Sequence, residues 1–145
     1  MSTHLTALAF DYGTKKIGVA VGQSITKTAS PLAVLPARDG IPDWSTIEKL
    51  VKEWQPSVFI VGMPFNMDGS TNNMTERVQK FVQRLSVRFN IPCYSFDERL
   101  SSREAKDIRK NIANAHGKTY NHRDAIDSIA AQLILENWFA SSATT

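Results

Sequence analysis

The sequence predicts an α/β fold: a mixed sheet of five strands with helices on both faces, in the chain order βββαβαβαα. Two observations carry this. Residues 5 to 38 hold three short apolar runs joined by brief polar turns, as an antiparallel meander requires. Beyond residue 40, apolar stretches of strand length alternate with segments whose apolar residues recur at helical spacing.

The first strand is residues 5 to 11 and the second 17 to 22. Ile17, Val19 and Val21 fall on one face of the second strand, and Gly18, Ala20 and Gly22 on the other. "SPLAVLP", residues 30 to 36, reads as a third strand, and its bounding prolines place it near a sheet edge. In "DGIPDWSTIEKLVKEWQP" the period changes. Ile47, Leu50, Val51 and Trp54 stand at i, i+3, i+4 and i+7, Ser45 with Glu48 forms a capping box, and Pro56 marks the stop. "SVFIVGMP" is a continuous apolar run, the pattern of a strand covered on both faces. A second helix over roughly 74 to 89 gathers Met74, Val78, Phe81, Val82, Leu85 and Phe89 on one side. "IPCYSFDER" is the fifth strand, and a third helix capped by Ser101 and Glu104 follows. The last helix runs from about Asp124 to Phe139, and "SSATT" reads as a frayed tail. The expectation is one domain over residues 1–140 with a tail at 141–145.

Composition narrows the function classes. With 145 residues and 42% hydrophobic content the chain supports one core and no second full domain. A net charge of +3 permits a polyanionic partner without requiring one. The single cysteine, Cys93, allows no intramolecular disulfide and reads as a buried, inert thiol in a reducing compartment. No basic leader precedes a long apolar stretch, and no run approaches the length of a membrane span. The expectation is a soluble cytoplasmic protein without a membrane partner.

Three carboxylates stand where a core has least use for them. Asp11 ends the first strand on the face of Ala7 and Ala9. Glu98 ends the fifth strand between Asp97 and Arg99. Asp127 lies in the first turn of the last helix, above a small-residue stripe of Ala130, Ala131 and Ile134 that suits packing on a sheet. Brought to one sheet edge, such acids repel one another and recruit a cation. Oxygen ligands select a hard ion, Mg²⁺ or Mn²⁺. The matching chemistry is phosphodiester hydrolysis by metal-activated water. Each acid also has a plainer reading: an Asx-turn at Asp11, surface pairing of Asp97 or Glu98 with Arg99 or Arg103, and favourable charge at a helix N-terminus for Asp124 and Asp127.

The stretches "AFDYGTKKIGVAVG", "IVGMPFNMDGS", "DERLSSREA" and "DSIAAQLIL" stand in the order of the YqgF/RuvX family and span almost the whole chain, which resembles that branch of the RNase H-like nucleases. The resemblance implies an RNase H-like fold and a metal-dependent nuclease with Asp11, Glu98 and Asp127 as catalytic residues and metal ligands, Asp124 being a candidate fourth. It implies action in 5′-end maturation of precursor 16S ribosomal RNA, with resolution of Holliday junctions as the alternative. RuvC-type resolvases carry their middle carboxylate at the end of the fourth strand, where this chain has Gly62, Met63 and Pro64.

Substrate contacts are expected from residues around the acids. Gly13 allows a tight left-handed turn. Lys15, Lys16, Arg99 and Arg103 could hold phosphates, or be ordinary solvated charges. Asn66, Asp68 and Ser70 could line a groove, or form a loop turning at Asp68 and Gly69. Tyr12 and Tyr120 could stack on bases, and His116 or His122 could reach the site from a loop, although packing and solvated roles are the commoner ones. The expected partners are precursor ribosomal RNA, branched DNA and a ribosomal particle, with the chain a monomer or weak homodimer. Two other functions compete. An actin-like ATPase shares the first turn but needs two such domains, and a non-catalytic RNA- or ribosome-binding module would bind substrate without metal and leave it intact.

Overall fold

The computed structural model describes residues 5–97 and 122–142, with side chains in the last segment from 128 to 140. The strands are β1 (Thr6–Asp11), β2 (Lys16–Gln23), β3 (Thr28–Arg38), β4 (Ile41–Pro42), β5 (Val58–Met63) and β6 (Cys93–Asp97). The described helices are α1 (Trp44–Trp54), α2 (Asn73–Phe89) and α3 (His122–Ser142). One sheet has the order β4-β3-β2-β1-β5-β6. β1, β2 and β3 form the expected antiparallel meander, while β5 lies parallel to β1 and β6 parallel to β5.

The sheet has six strands where five are expected. The extra one, β4, arises from Asp39-Gly40: both residues have positive φ, 51° and 81°, which closes a two-residue hairpin pairing Ala37 with Pro42 and Arg38 with Ile41. The Asp-Gly pair is itself the sequence signal for that turn. β3 is also longer than residues 30 to 36 and runs through both prolines. Because β4 covers only its last two residues, most of β3 is a sheet edge, where proline costs no ladder bond. A bulge between the pairs Val19–Ala33 and Ala20–Pro31 inserts Leu32. That extra residue reverses the side-chain phase, so Leu35 joins the core on one face and Ala29 the core on the other.

The alternation of β1 divides the interior. Leu8 and Phe10 face α1 and α2, in a cluster with Ile17, Val19, Phe59, Val61, Ile47 and Phe81. Ala7 and Ala9 face α3, with Ile60, Phe96, Ile134, Leu135 and Phe139. The first cluster is aromatic: the Phe10 ring lies edge-on to Phe59 at 5.7 Å and to Phe81 at 5.6 Å. The second is built for close approach. A Cβ on Gly22 would stand 2.7 Å from Leu135 Cδ2, 2.7 Å from the Thr28 carbonyl oxygen and 2.9 Å from Phe139 Cε2. α3 therefore lies on β2 only because that residue has no side chain. Gln132 Nε2 also donates to the Ala29 carbonyl at 3.0 Å and ties α3 to β3.

The helix ends depart slightly from expectation. α1 begins two residues earlier than a Ser45 cap implies, because Asp43 is the N-cap and accepts from Ser45 N at 3.0 Å and from Ser45 Oγ at 2.6 Å. Those bonds hold the Asp43 carboxyl below its ordinary range. α2 starts after Asn72, whose side chain accepts from Thr75 N while Thr75 Oγ1 accepts from Asn72 N, a reciprocal cap. α3 starts at His122 and continues to Ser142, two residues into the expected tail. The expected helix after Ser101 lies outside the described residues. Among the described residues, no helix is long and apolar enough to cross a membrane.

Candidate active site

β1, β5 and β6 run parallel and end together at Asp11, Met63 and Asp97, the edge where ligands of such sheets are held. Asp11 is half-buried at the end of the central strand, on the α3 face set by Ala7 and Ala9. Its partner on β2 is Gly18, and on β5 the residue after Val61, the partner of Phe10, is Gly62. The carboxylate is therefore flanked on both neighbouring strands by glycine. It is an oxygen donor at the end of an apolar strand, with no bulky side chain beside it in the sheet.

The turn after Asp11 is fastened to the β3–β4 hairpin. Gly40 N donates to the Thr14 carbonyl at 2.8 Å, Ala37 N to the Lys15 carbonyl at 2.8 Å, and Tyr12 Oη to the Gly40 carbonyl at 3.1 Å. Gly13 is not in the left-handed region expected of it. Its requirement is proximity, since a Cβ there would stand 2.5 Å from the Lys16 carbonyl oxygen. Tyr12 faces the other side of the sheet and packs on Phe81 at 5.1 Å, so its ring and hydroxyl serve packing rather than a base. Lys15 is exposed in the turn that follows Asp11, whereas Lys16 is half-buried at the start of β2.

The loop from Pro64 to Asn72 leaves the same edge. The structure brings Asn66, Asp68 and Ser70 together, chiefly onto one another. Ser70 N and Oγ donate to Asp68 Oδ1 at 2.9 and 2.6 Å, and Asn66 Nδ2 donates to Ser70 Oγ at 2.9 Å. Gly69 takes φ 90° and its N–H donates to the Asn66 carbonyl. This is the turn reading of the loop, with polar side chains framing its shape. Asn72, not among the expected site residues, anchors it: Asn72 Nδ2 donates to Asn66 Oδ1 at 2.9 Å and to the Pro64 carbonyl at 3.3 Å. The signal was an asparagine three residues ahead of a threonine at a helix start.

On β6, Tyr94 stacks on Trp138 and Phe96 packs among the α3-side residues, whereas Cys93 packs with the α1 and α2 side. Asp97 shares the parity of Cys93 and pairs with Met63 in register, so it lies on the face opposite Asp11. Cys93 is half-buried, and burial pushes its thiol up to about 12, in keeping with an inert role.

Glu98, Arg99, Arg103, His116 and Tyr120 lie outside the described residues. Asp124 and Asp127 lie in the first two turns of α3, with Asp127 two residues deeper than expected because the helix starts at His122. Their side chains, and that of His122, are outside the described set. Among the described residues, no three His, Cys, Asp or Glu side chains gather as a metal cluster.

The profile of the family described as "RuvX: Holliday junction resolvase" matches residues 5–141. A protein of Saccharophagus degradans is 54% identical over 137 residues, covering 94% of each chain. One of Haemophilus ducreyi is 53% identical over 134 residues, covering 92% of this chain and 95% of its own. Both carry the name of a proposed pre-16S rRNA nuclease. Among solved structures, Thermus thermophilus RuvC in complex with a Holliday junction substrate superposes with a TM-score of 0.60 at 14% identity over 95% of each chain. The yeast mitochondrial Holliday junction resolvase Ydc2 gives 0.58 at 11% identity, covering 94% of this chain and 78% of its own. At that identity the likeness shows a shared fold, the RuvC-like form of the RNase H fold.

Proposed function

This chain belongs to the RuvX family, and on that premise we propose that it is a nuclease that hydrolyses phosphodiester bonds in 5′-end maturation of precursor 16S ribosomal RNA. The observation that carries the reading is Asp11: a carboxylate ending the central strand at the ligand-binding edge of the sheet, between two glycine-bearing neighbours. The donor set fits a hard divalent cation, Mg²⁺ or Mn²⁺, held by Asp11 with Glu98 and Asp127 and with Asp124 as a fourth candidate. β6 supports Glu98 over Asp97 in that set, because Asp97 faces away from Asp11. When bound, such a cation supplies activation of water and charge neutralisation at the phosphate.

The chain's own groups do the rest. Asp11 fixes the centre of the site on a strand whose neighbours hold it rigid. Lys15 and Lys16, with Arg99 and Arg103, hold backbone phosphates. The bonded loop of Asn66, Asp68 and Ser70 walls the groove, and Gly13 keeps the turn small enough for a phosphate to approach. In this reading the chain works as a single domain over residues 1–140 in the cytoplasm, as a monomer or weak homodimer, on RNA alone or in a ribosomal particle.

The family description favours a second reading, cleavage of four-way DNA junctions. One experiment addresses both. The protein and its Asp11→Asn variant are incubated with precursor 16S RNA and with a four-way DNA junction, in Mg²⁺, Mn²⁺ or chelator. Metal-dependent cleavage of the RNA, lost in a variant that still melts cooperatively near the wild-type temperature, is the expected result. Preferential cutting of the junction selects the second reading. Cleavage that survives in Asp11→Asn, or substrate bound in chelator and never cut with metal, overturns the nuclease assignment to this site.

A further inference from the structure

α2 carries a charge pattern that the proposed site does not use. Its cations are Arg77, Lys80, Arg84 and Arg88, against one acid, Glu76. At 3.6 residues per turn the four fall within about 80° of the helix circumference, and at 1.5 Å per residue they span about 16 Å. They form a row along the side of α2 next to α1. Arg88 is held in place, its guanidinium carbon 4.6 Å from the Trp44 ring centroid and its Nη1 3.9 Å from Glu48. Arg77 Nη1 pairs with exposed Asp39 at 3.1 Å. Lys80 and Arg84, in the middle, have no ion pair among the described residues. Beside the row lies an open groove of about 520 Å³ lined by Trp44, Arg84, Val87 and Arg88, in which Val87 is 85% exposed.

Resting on the reading of the chain as an RNA nuclease, we infer that this face of α2 is a second RNA-binding surface, which tracks the phosphate backbone of substrate beyond the cut site. Lys80 and Arg84, one helical turn apart and flanked by two further cations that are each paired with an acid, complement successive phosphates of a nucleic-acid strand. The groove adds apolar surface, the exposed Val87 side chain beside the Arg88-capped Trp44 ring, against which a base can rest. A second copy docked face to face would oppose two rows of cations, which disfavours a symmetric dimer here. The direction of α2 fits as well. The helix starts directly after the Pro64–Asn72 loop at the edge that holds Asp11, so the row begins at the site edge, at Arg77, and runs along the sheet face opposite Asp11 towards Arg88, which a strand reaches by crossing that edge.

The test is a salt titration of binding in EDTA, so that no cleavage intervenes, with a fluorescein-labelled single-stranded RNA covering the 5′ leader of precursor 16S RNA as the probe and anisotropy as the readout. Each lost phosphate contact on a single strand removes about 0.7 from the slope of log Kd against log[KCl]. Lys80→Gln/Arg84→Gln is therefore expected to flatten the slope by about 1.4, with a raised Kd at low salt that converges on wild type at high salt. Lys49→Gln/Lys52→Gln, which removes two exposed cations of α1, is expected to leave the slope unchanged. An unchanged slope in the α2 variant, an equal change in the α1 variant, or no RNA bound by wild type overturns the proposal. So does a wild-type dimer in sedimentation velocity that the α2 variant abolishes, which would make the face a contact between copies. Failure of the catalytic reading shows separately, as cleavage surviving in Asp11→Asn, and leaves the slope comparison intact.

Discussion

Replacing Gly22 by alanine tests the contact that seats α3 on the sheet. The added methyl would stand 2.7 Å from Leu135 Cδ2, 2.7 Å from the Thr28 carbonyl oxygen and 2.9 Å from Phe139 Cε2. All three are closer than carbon atoms accept, and the Thr28 oxygen belongs to the paired strand β3, which cannot turn aside as a side chain can. Overpacking of this kind costs about 1–3 kcal/mol, and a backbone contact belongs at the upper end. Alanine recovers about 0.5–1 kcal/mol by restricting the unfolded chain at a strand position. The net expected loss is about 2 kcal/mol, which for a chain of this size lowers Tm by roughly 4–8 °C. Calorimetry reads Tm, and urea melts of Gly22→Ala, Leu135→Ala and the double variant give the coupling. Leu135→Ala is costly alone, but it vacates part of the space that the new methyl needs, so the two effects should sum to more than the double variant loses. Because α3 also carries Asp124 and Asp127, cleavage should fall further in Gly22→Ala than the loss of folded protein explains. A Gly22→Ala protein that melts at or above the wild-type temperature would refute the account of α3 packing.

Two other perturbations bear on the edge of the site. Asn72→Ala removes the cap on Thr75 N and the bonds to Asn66 and the Pro64 carbonyl, so stability should fall by about 1–2 kcal/mol in urea melts, with amide exchange at Gly69 and Ser70 accelerated; unchanged exchange would mean that the loop holds itself. Cys93, its thiol raised by burial from 9.0 to about 12, makes the folded state lose stability as pH rises from the unfolded thiol's value towards 12, because the unfolded chain ionises first. The difference in urea stability between wild type and Cys93→Ala should therefore drift against wild type above about pH 9 and stay flat below about pH 8; a difference that does not move with pH refutes the burial argument.

The elements and their faces follow from the residues along the chain. Period-two alternation in β1 and β2, the unbroken apolar run of β5 and the 3.6-residue spacing of α1 and α2 are local consequences of which side chains must leave water, and they reappear in the two cores. The sequence also singled out Asp11, because a carboxylate ending a buried strand is anomalous along the chain as well as in space. Asp39-Gly40 and the Asn72–Thr75 cap were equally local and readable as a hairpin and a helix start. Other features depend on neighbours distant in sequence. The Leu32 bulge sends Ala29 and Leu35 to opposite faces, Gly22 is small because α3 lies on it, and Gly13 because the Lys16 carbonyl comes back to meet it. Asn66, Asp68 and Ser70 look like groove residues as a string and become a bonded frame when the loop closes. Asp97 and Glu98 are adjacent acids in the sequence. The phase of β6, fixed by pairing with β5 and by the stack of Tyr94 on Trp138, puts Asp97 away from Asp11. Alternation along a strand is written in its residues, but which face is which is set by the layers that pack on it.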